Sequence, residues 1–157
     1  MNMPDTSRLR LTLGPLLYYW PRDRVHDFYE QVAASPVDTV HLGEAVCGKR
    51  HELRVGDWMA IGRKLADAGK EVVLSTCELI ESETDLRVMR RVAANGEFLV
   101  EANDLGAVNL LAGKGAFVAG PWLNMYGRLS MDFYRRQGAV RWVPPIGSSA
   151  RTRCWVA

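Results

Sequence analysis

No apolar run in the chain approaches the ~20 residues needed to cross a bilayer, and Met1 to Arg10 holds no apolar signal-peptide core. A cytoplasmic location is therefore expected. An excess of charge of one sign is also missing. The formal net charge is +2, and basic residues are not massed on a tail, so there is no electrostatic argument for nucleic acid or a membrane surface as partner. The three cysteines, Cys47, Cys77 and Cys154, are odd in number and widely spaced. They do not suggest a disulfide framework, and in a reducing compartment they leave thiol, metal or redox roles open. No H-E-x-x-H zinc helix and no G-x-S-x-G elbow occurs, and only His26, His41 and His51 are available as bases. The first strand-like run is followed by Gly14-Pro15-Leu16-Leu17 rather than G-x-G-x-x-G, which removes the main reason to expect a nucleotide-binding sheet.

What is present is an ordinary globular composition, 48% hydrophobic and 24% charged over 157 residues, which suits a single domain. Leu9 to Leu13 alternates apolar with polar and reads as a first strand. Pro21 opens a helix in which Val25, Phe28, Tyr29 and Val32 share a face, and Pro36 releases the chain into a strand over Val37 to Leu42. Trp58, Ile61, Leu65 and Ala68 mark a second helix closed by Gly69, before a strand over Val72 to Thr76. Ser82 caps a third helix that stops at Asn95-Gly96, and Phe98 to Glu101 is a short strand. Asp104 or Asn103 caps a helix over Leu105 to Ala112. Phe117 to Ala119 is a fifth strand, Leu129 to Tyr134 belong to a helix ending at Gly138, and Ala139 to Val143 is a sixth strand stopped by Pro144-Pro145.

Strand and helix alternate with a repeat of roughly 20–35 residues, the pattern of parallel pairing with right-handed crossovers. The expectation is an α/β fold, a partial TIM-like (β/α) barrel of about six parallel strands. Polar residues gather just after successive strands: Glu44 and Cys47, Ser75 and Thr76, Glu101 and Asn103, then Asn124. Strand carboxyl ends converge on one mouth in a barrel, so these residues are candidates for lining a pocket. Around Val40 to Arg50 the strand stops at Gly43, where a side chain would clash, and delivers Glu44, Cys47, Lys49 and Arg50. A thiolate beside Lys49 and Arg50 is favoured electrostatically, which suits metal ligation or redox chemistry. The competing readings are a buried loop cysteine beside a solvated Lys-Arg pair, a solvated face for Lys49, Arg50 and Arg54, and helix capping for Glu101 and Asn103. A complete barrel takes about 250 residues. Residues 1–145 are therefore expected to be the N-terminal portion of a barrel domain. Residues 146–157 have no apolar periodicity and no acidic residue; they suggest a change of reading frame near Ile146, the alternative being a short loose tail.

Leu13-Gly14-Pro15-Leu16-Leu17-Tyr18-Tyr19-Trp20-Pro21, Leu42-Gly43-Glu44-Ala45-Val46-Cys47-Gly48-Lys49-Arg50, Val55-Gly56-Asp57-Trp58, Leu74-Ser75-Thr76, the run from Asn95 to Gly106, and Phe117-Val118-Ala119-Gly120 with Leu123-Asn124 together resemble the UbiV branch of the collagenase-like U-type peptidase family. The resemblance runs from about Leu9 to Pro145. It implies a barrel-like fold and a part in oxygen-independent ubiquinone biosynthesis, in which a UbiU-like subunit forms a heterodimer for anaerobic ring hydroxylation of a ubiquinone-pathway intermediate. It also implies a 4Fe-4S cluster held by four cysteines, of which Cys47 matches the first. Cys77 and Cys154 have no match, so the chain by itself is expected not to complete the cluster. Gly127 stands where related sequences often carry a second amide. Two other functional classes remain open: a collagenase-like peptidase, and a non-catalytic barrel fragment with only a partner-binding role.

Overall fold

β-Branched and apolar runs, each bounded by glycine, proline or a capping residue, alternate with amphipathic helices along the whole described chain. The computed structural model describes residues 9–46 and 52–148. The strands are β1 (Thr12–Leu13), β2 (Thr39–Leu42), β3 (Glu71–Ser75), β4 (Leu99–Ala102), β5 (Phe117–Ala119) and β6 (Ala139–Trp142). The helices are α1 (Arg22–Ala33), α2 (Val55–Asp67), α3 (Glu83–Ala93), α4 (Leu105–Leu111) and α5 (Arg128–Gln137). All six strands are parallel and pair in sequence order, β1-β2-β3-β4-β5-β6. A doubly wound sheet reverses its strand order at a switch point, and this one does not. Every crossover steps the same way, so right-handed connections place all helices on one face and the sheet curls as a half-barrel.

Local chemistry fixes the helix ends. Pro21 precedes α1, and its carbonyl accepts from the Val25 N–H at 3.1 Å, with Val25, Tyr29 and Val32 buried at helical spacing. Ser82 and Asp85 form a reciprocal capping box on α3: the Asp85 N–H donates to Ser82 Oγ at 3.2 Å, and the Ser82 N–H donates to Asp85 Oδ2 at 2.9 Å. Asp104 caps α4 through Gly106 N–H at 2.6 Å. Gly138 ends α5 with φ of 112°, a conformation that glycine adopts without strain. A chain of edge-to-face rings, Trp20 to Phe28 to Tyr29 to Trp58, joins α1 to α2.

Residue parity sorts the strands into two faces. Val40 and Leu42, Val72 and Leu74, Val100 and Ala102, and Phe117 and Ala119 pack against the helices in the main core. The alternate residues Thr39, His41, Glu71, Val73, Ser75, Glu101, Val118 and Arg141 line the concave face. At the amino end of this face, Glu71 of β3 accepts from Thr39 Oγ1 of β2 at 2.8 Å, from Arg10 at 3.0 Å, and from Arg141 of β6 at 2.7 Å. Strands β3 and β6 are three positions apart, about 14 Å in a flat sheet. Side chains standing perpendicular to such a sheet do not meet across that gap, and here the curl brings them together.

Three details depart from the sequence expectation. β1 is two residues long, not five: Leu9 and Leu11 are exposed, and the Leu11 N–H is taken by the Asp38 carboxylate at 2.8 Å instead of a ladder carbonyl. A 3-10 turn, Pro121–Leu123, follows β5 and was not anticipated. β6 carries a register shift opposite Phe117 and Val118, which leaves Val140 exposed. Among the described residues, no helix is long and apolar enough to cross a membrane.

Burial pushes the Glu71 carboxyl up, and the bonds from Arg141 and Thr39 outweigh it, so its pKa lies below the ordinary value. Replacement by Gln is expected to lower stability by about 1–3 kcal/mol in urea titration at neutral pH, since charge-assisted bonds from three segments are weakened at once.

Candidate functional site at the carboxyl ends of the strands

Strand parity places Ser75, Glu101 and His41 on the concave face at the carboxyl ends of β3, β4 and β2. The Glu101 carboxylate is their common acceptor. His41 Nδ1 lies 3.2 Å from Glu101 Oε1, with the two side chains 3% and 2% exposed. Ser75 Oγ donates to Glu101 Oε2 at 2.5 Å, and Asn103 Nδ2 reaches the same oxygen at 3.4 Å. Burial raises the Glu101 pKa, while the bond and charge of His41 and the bonds from Ser75 and Asn103 lower it more. The net shift is downward.

Thr76 and Asn103 tie the ends of β3 and β4 together just beyond this carboxylate. The Asn103 N–H donates to Thr76 Oγ1 at 3.0 Å, Asn103 Nδ2 donates to the Thr76 carbonyl at 3.0 Å, and Thr76 Oγ1 donates to the Glu101 carbonyl at 3.2 Å. Asn103 Oδ1 is left buried with no hydrogen-bond partner. It points toward Gly120, where a Cβ would sit 1.8 Å from it. Gly43 makes the matching approach between β2 and β3: its φ is +134°, and a Cβ there would lie 2.6 Å from the Ser75 carbonyl oxygen.

The candidate residues thus fall into three groups. Ser75, Thr76, Glu101 and Asn103 come together in one buried network, and Asp104, not Asn103, is the cap of α4. Glu44 is half-buried beyond β2, where its backbone bridges Leu16. Asn124 is exposed and caps the 3-10 turn in the left-handed conformation, φ 53°, and is not joined to the network. Cys47, Lys49 and Arg50, like Cys154, lie outside the described residues. His41 was noted in the sequence only as an available base. Its alternation with Val40 and Leu42 put it on the face opposite the core, but pairing it with Glu101 required the register of two strand pairs.

The network also bears on the peptidase reading. A nucleophilic serine needs a base in contact with its hydroxyl. Here the carboxylate stands between Ser75 and His41, and the Ser75 hydroxyl donates to Glu101, so the described geometry is not that of a Ser-His-acid triad.

On the helix side of the same strand ends, a cavity of about 380 Å³ opens between α2 and α3. Leu42, Leu74, Trp58 and Met89 are among its apolar walls; Glu44, Ser75, Thr76, Cys77, Arg54, Asp85 and Arg91 are its polar lining. Among the described residues, no three His, Cys, Asp or Glu side chains converge in a way that could hold a metal ion. No family model matches the chain, and no solved structure matches it significantly.

The Gly120 contact is open to test by substitution. Gly120→Ala is expected to destabilise the fold by about 3 kcal/mol in urea titration, and adding Asn103→Ala should recover part of that loss, because the second change removes the clashing amide. The acid limb of stability should report Glu101. Its folded-state pKa is lowered, so its contribution is present above the ordinary carboxylate value of about 4.3 and is lost as pH falls through the folded-state value. Thermal melts should therefore drop steeply below about pH 4. His41→Ala, which leaves the carboxylate buried without its imidazole, should cost about 3 kcal/mol at neutral pH.

Proposed function

We propose that the chain is a UbiV-like component of an oxygen-independent hydroxylation system in ubiquinone biosynthesis, acting with a UbiU-like subunit on a ubiquinone-pathway intermediate. The observation that carries this reading is the ordered set of segments from Leu9 to Pro145 that resemble the UbiV branch, one of which holds Cys47 three residues after Glu44 in sequence. The half-barrel is compatible with it. Ser75, Thr76, Glu101 and Asn103 lie at the strand carboxyl ends, the side from which α/β barrels carry out chemistry.

The implied 4Fe-4S cluster transfers single electrons when bound, and Cys47 is the residue that would contribute a thiolate to it. A cubane of this kind takes four cysteines. This chain has three, and Cys77, the one among the described residues, lines the cavity between α2 and α3. The ligand set therefore does not fit a complete cluster within this chain, and any complete site draws at least one thiolate from elsewhere. The contribution of the chain's own residues is electrostatic: Lys49 and Arg50, close in sequence to Cys47, favour its thiolate form.

A second reading, a barrel portion whose role is to bind a partner, is favoured by one specific observation. Leu129, Val140 and Ile146 toward the β6 side, and Leu9, Leu11 and Tyr18 toward the β1 side, are exposed apolar side chains flanking the two edges of the sheet.

Anaerobic co-expression with a UbiU-like subunit, followed by iron and sulfide analysis of this chain's fraction, separates the readings. The expected result is iron and sulfide bound to this chain in the complex and lost on Cys47→Ala while the complex persists. A complex free of iron on this chain, unchanged by the substitution, would leave partner binding as its role.

A further inference from the structure

We infer that the cavity between α2 and α3 is a binding site for a small, largely aromatic carboxylate, a function independent of the cluster reading. Its volume of about 380 Å³ lies within the range of small-molecule pockets. Leu42, Leu74, Trp58 and Met89 make an apolar interior, and the exposed Val88 marks an entrance from solvent. An aromatic body buried against Trp58 removes apolar surface from water and gains ring contacts that an aliphatic chain does not.

The charge of the ligand follows from which rim groups are already satisfied. Four charged side chains line the cavity: Glu44, Asp85, Arg54 and Arg91. Asp85 accepts the Ser82 N–H at 2.9 Å, the Ser82 hydroxyl at 2.7 Å and the Glu81 N–H at 3.3 Å, so its carboxylate is committed to the cap of α3. Glu44 also takes part in an interaction within the protein. Arg54 and Arg91 take part in no ion pair among the described residues. Asp57, the acid three residues after Arg54, is held by Arg22 at 2.6 and 3.0 Å and accepts the Arg54 N–H at 2.8 Å. Two guanidiniums lining the cavity are therefore left for an anionic ligand. Arg54 also stands at the N-cap of the 13-residue α2, where the helix dipole adds to its field. A planar carboxylate matches a guanidinium in two-point geometry, which places the anionic end of the ligand at Arg54 and its ring against Trp58.

The test is a two-dimensional amide NMR titration of the full chain with 2-naphthoate and, in parallel, with the neutral 2-naphthamide. Naphthoate is expected to shift the Trp58 indole resonance and to bind about tenfold or more tightly than the amide, one charge-assisted contact being worth at least that factor. Arg54→Gln should remove that preference and Arg54→Lys, which keeps the charge but not the two-point geometry, should retain only part of it, with unchanged melting temperatures showing that both variants fold. Equal affinity for acid and amide, shifts confined to residues away from the cavity, or the absence of binding would overturn the proposal. Loss of the preference in Arg91→Gln but not in Arg54→Gln would overturn the placement of the carboxylate. None of these readouts depends on iron, so failure here is distinct from failure of the cluster reading.

Discussion

Carboxylates on the concave face of a parallel sheet have to be met by donors from other strands, and that requirement governs this molecule. The helices cover the convex face only, so the concave face is filled by the strands' own side chains. Glu71 at the amino end and Glu101 at the carboxyl end each collect bonds from several segments. An unpaired buried carboxylate costs several kcal/mol, so a flat sheet that separated these partners would be penalised heavily at Glu101 and less at the half-buried Glu71. Curl and charge pairing therefore depend on each other.

The same curl shapes both ends of the candidate site. On the concave side it brings His41 of β2 to Glu101 of β4, across β3, and leaves room at Gly120 for the Asn103 amide. On the convex side, helices packed over a curled sheet fan outward. α2 and α3 meet less closely than the neighbouring helix pairs, and the cavity lies between them. Ser75 and Thr76 belong to both regions: their side chains anchor the buried network, and they also line the cavity floor. Occupancy of the cavity thus adjoins the network through β3 itself.

The two functional proposals rest on different physical features. The cluster reading depends on the Cys47 thiol, outside the described residues, and on ligands this chain does not supply in full. The carboxylate site depends only on described residues, an apolar interior and two guanidiniums that form no ion pair among those residues. The buried Glu101 network is a structural device for holding strand ends in register. Its carboxylate is hydrogen-bonded within the protein, and its groups are nearly closed to solvent.

Local chemistry was legible in the sequence because it acts over a few residues. Ser82 caps α3 as expected, Asp104 is the one of the two α4 cap candidates that caps it, Gly138 ends α5, and the six strand and five helix segments follow from apolar spacing. The convergence of Ser75, Thr76, Glu101 and Asn103 was also readable, since the carboxyl ends of parallel strands lie on one side. The 3-10 turn after β5 and the shortening of β1 were not, because tertiary bonds such as that from the Leu11 N–H to Asp38 override a two-residue alternation. Nor could the sequence say that Arg10 and Arg141 share Glu71, that Gly120 exists to admit an amide, or that Arg54 faces a cavity. Those facts depend on register, curl and helix spacing, which bring into direct contact residues such as Glu71 and Arg141, 70 positions apart. The sequence by itself determined which segments are strands and helices and at which end the polar residues gather. Only the tertiary structure decided which of them touch, because contact across a curled sheet depends on distances that no local pattern encodes.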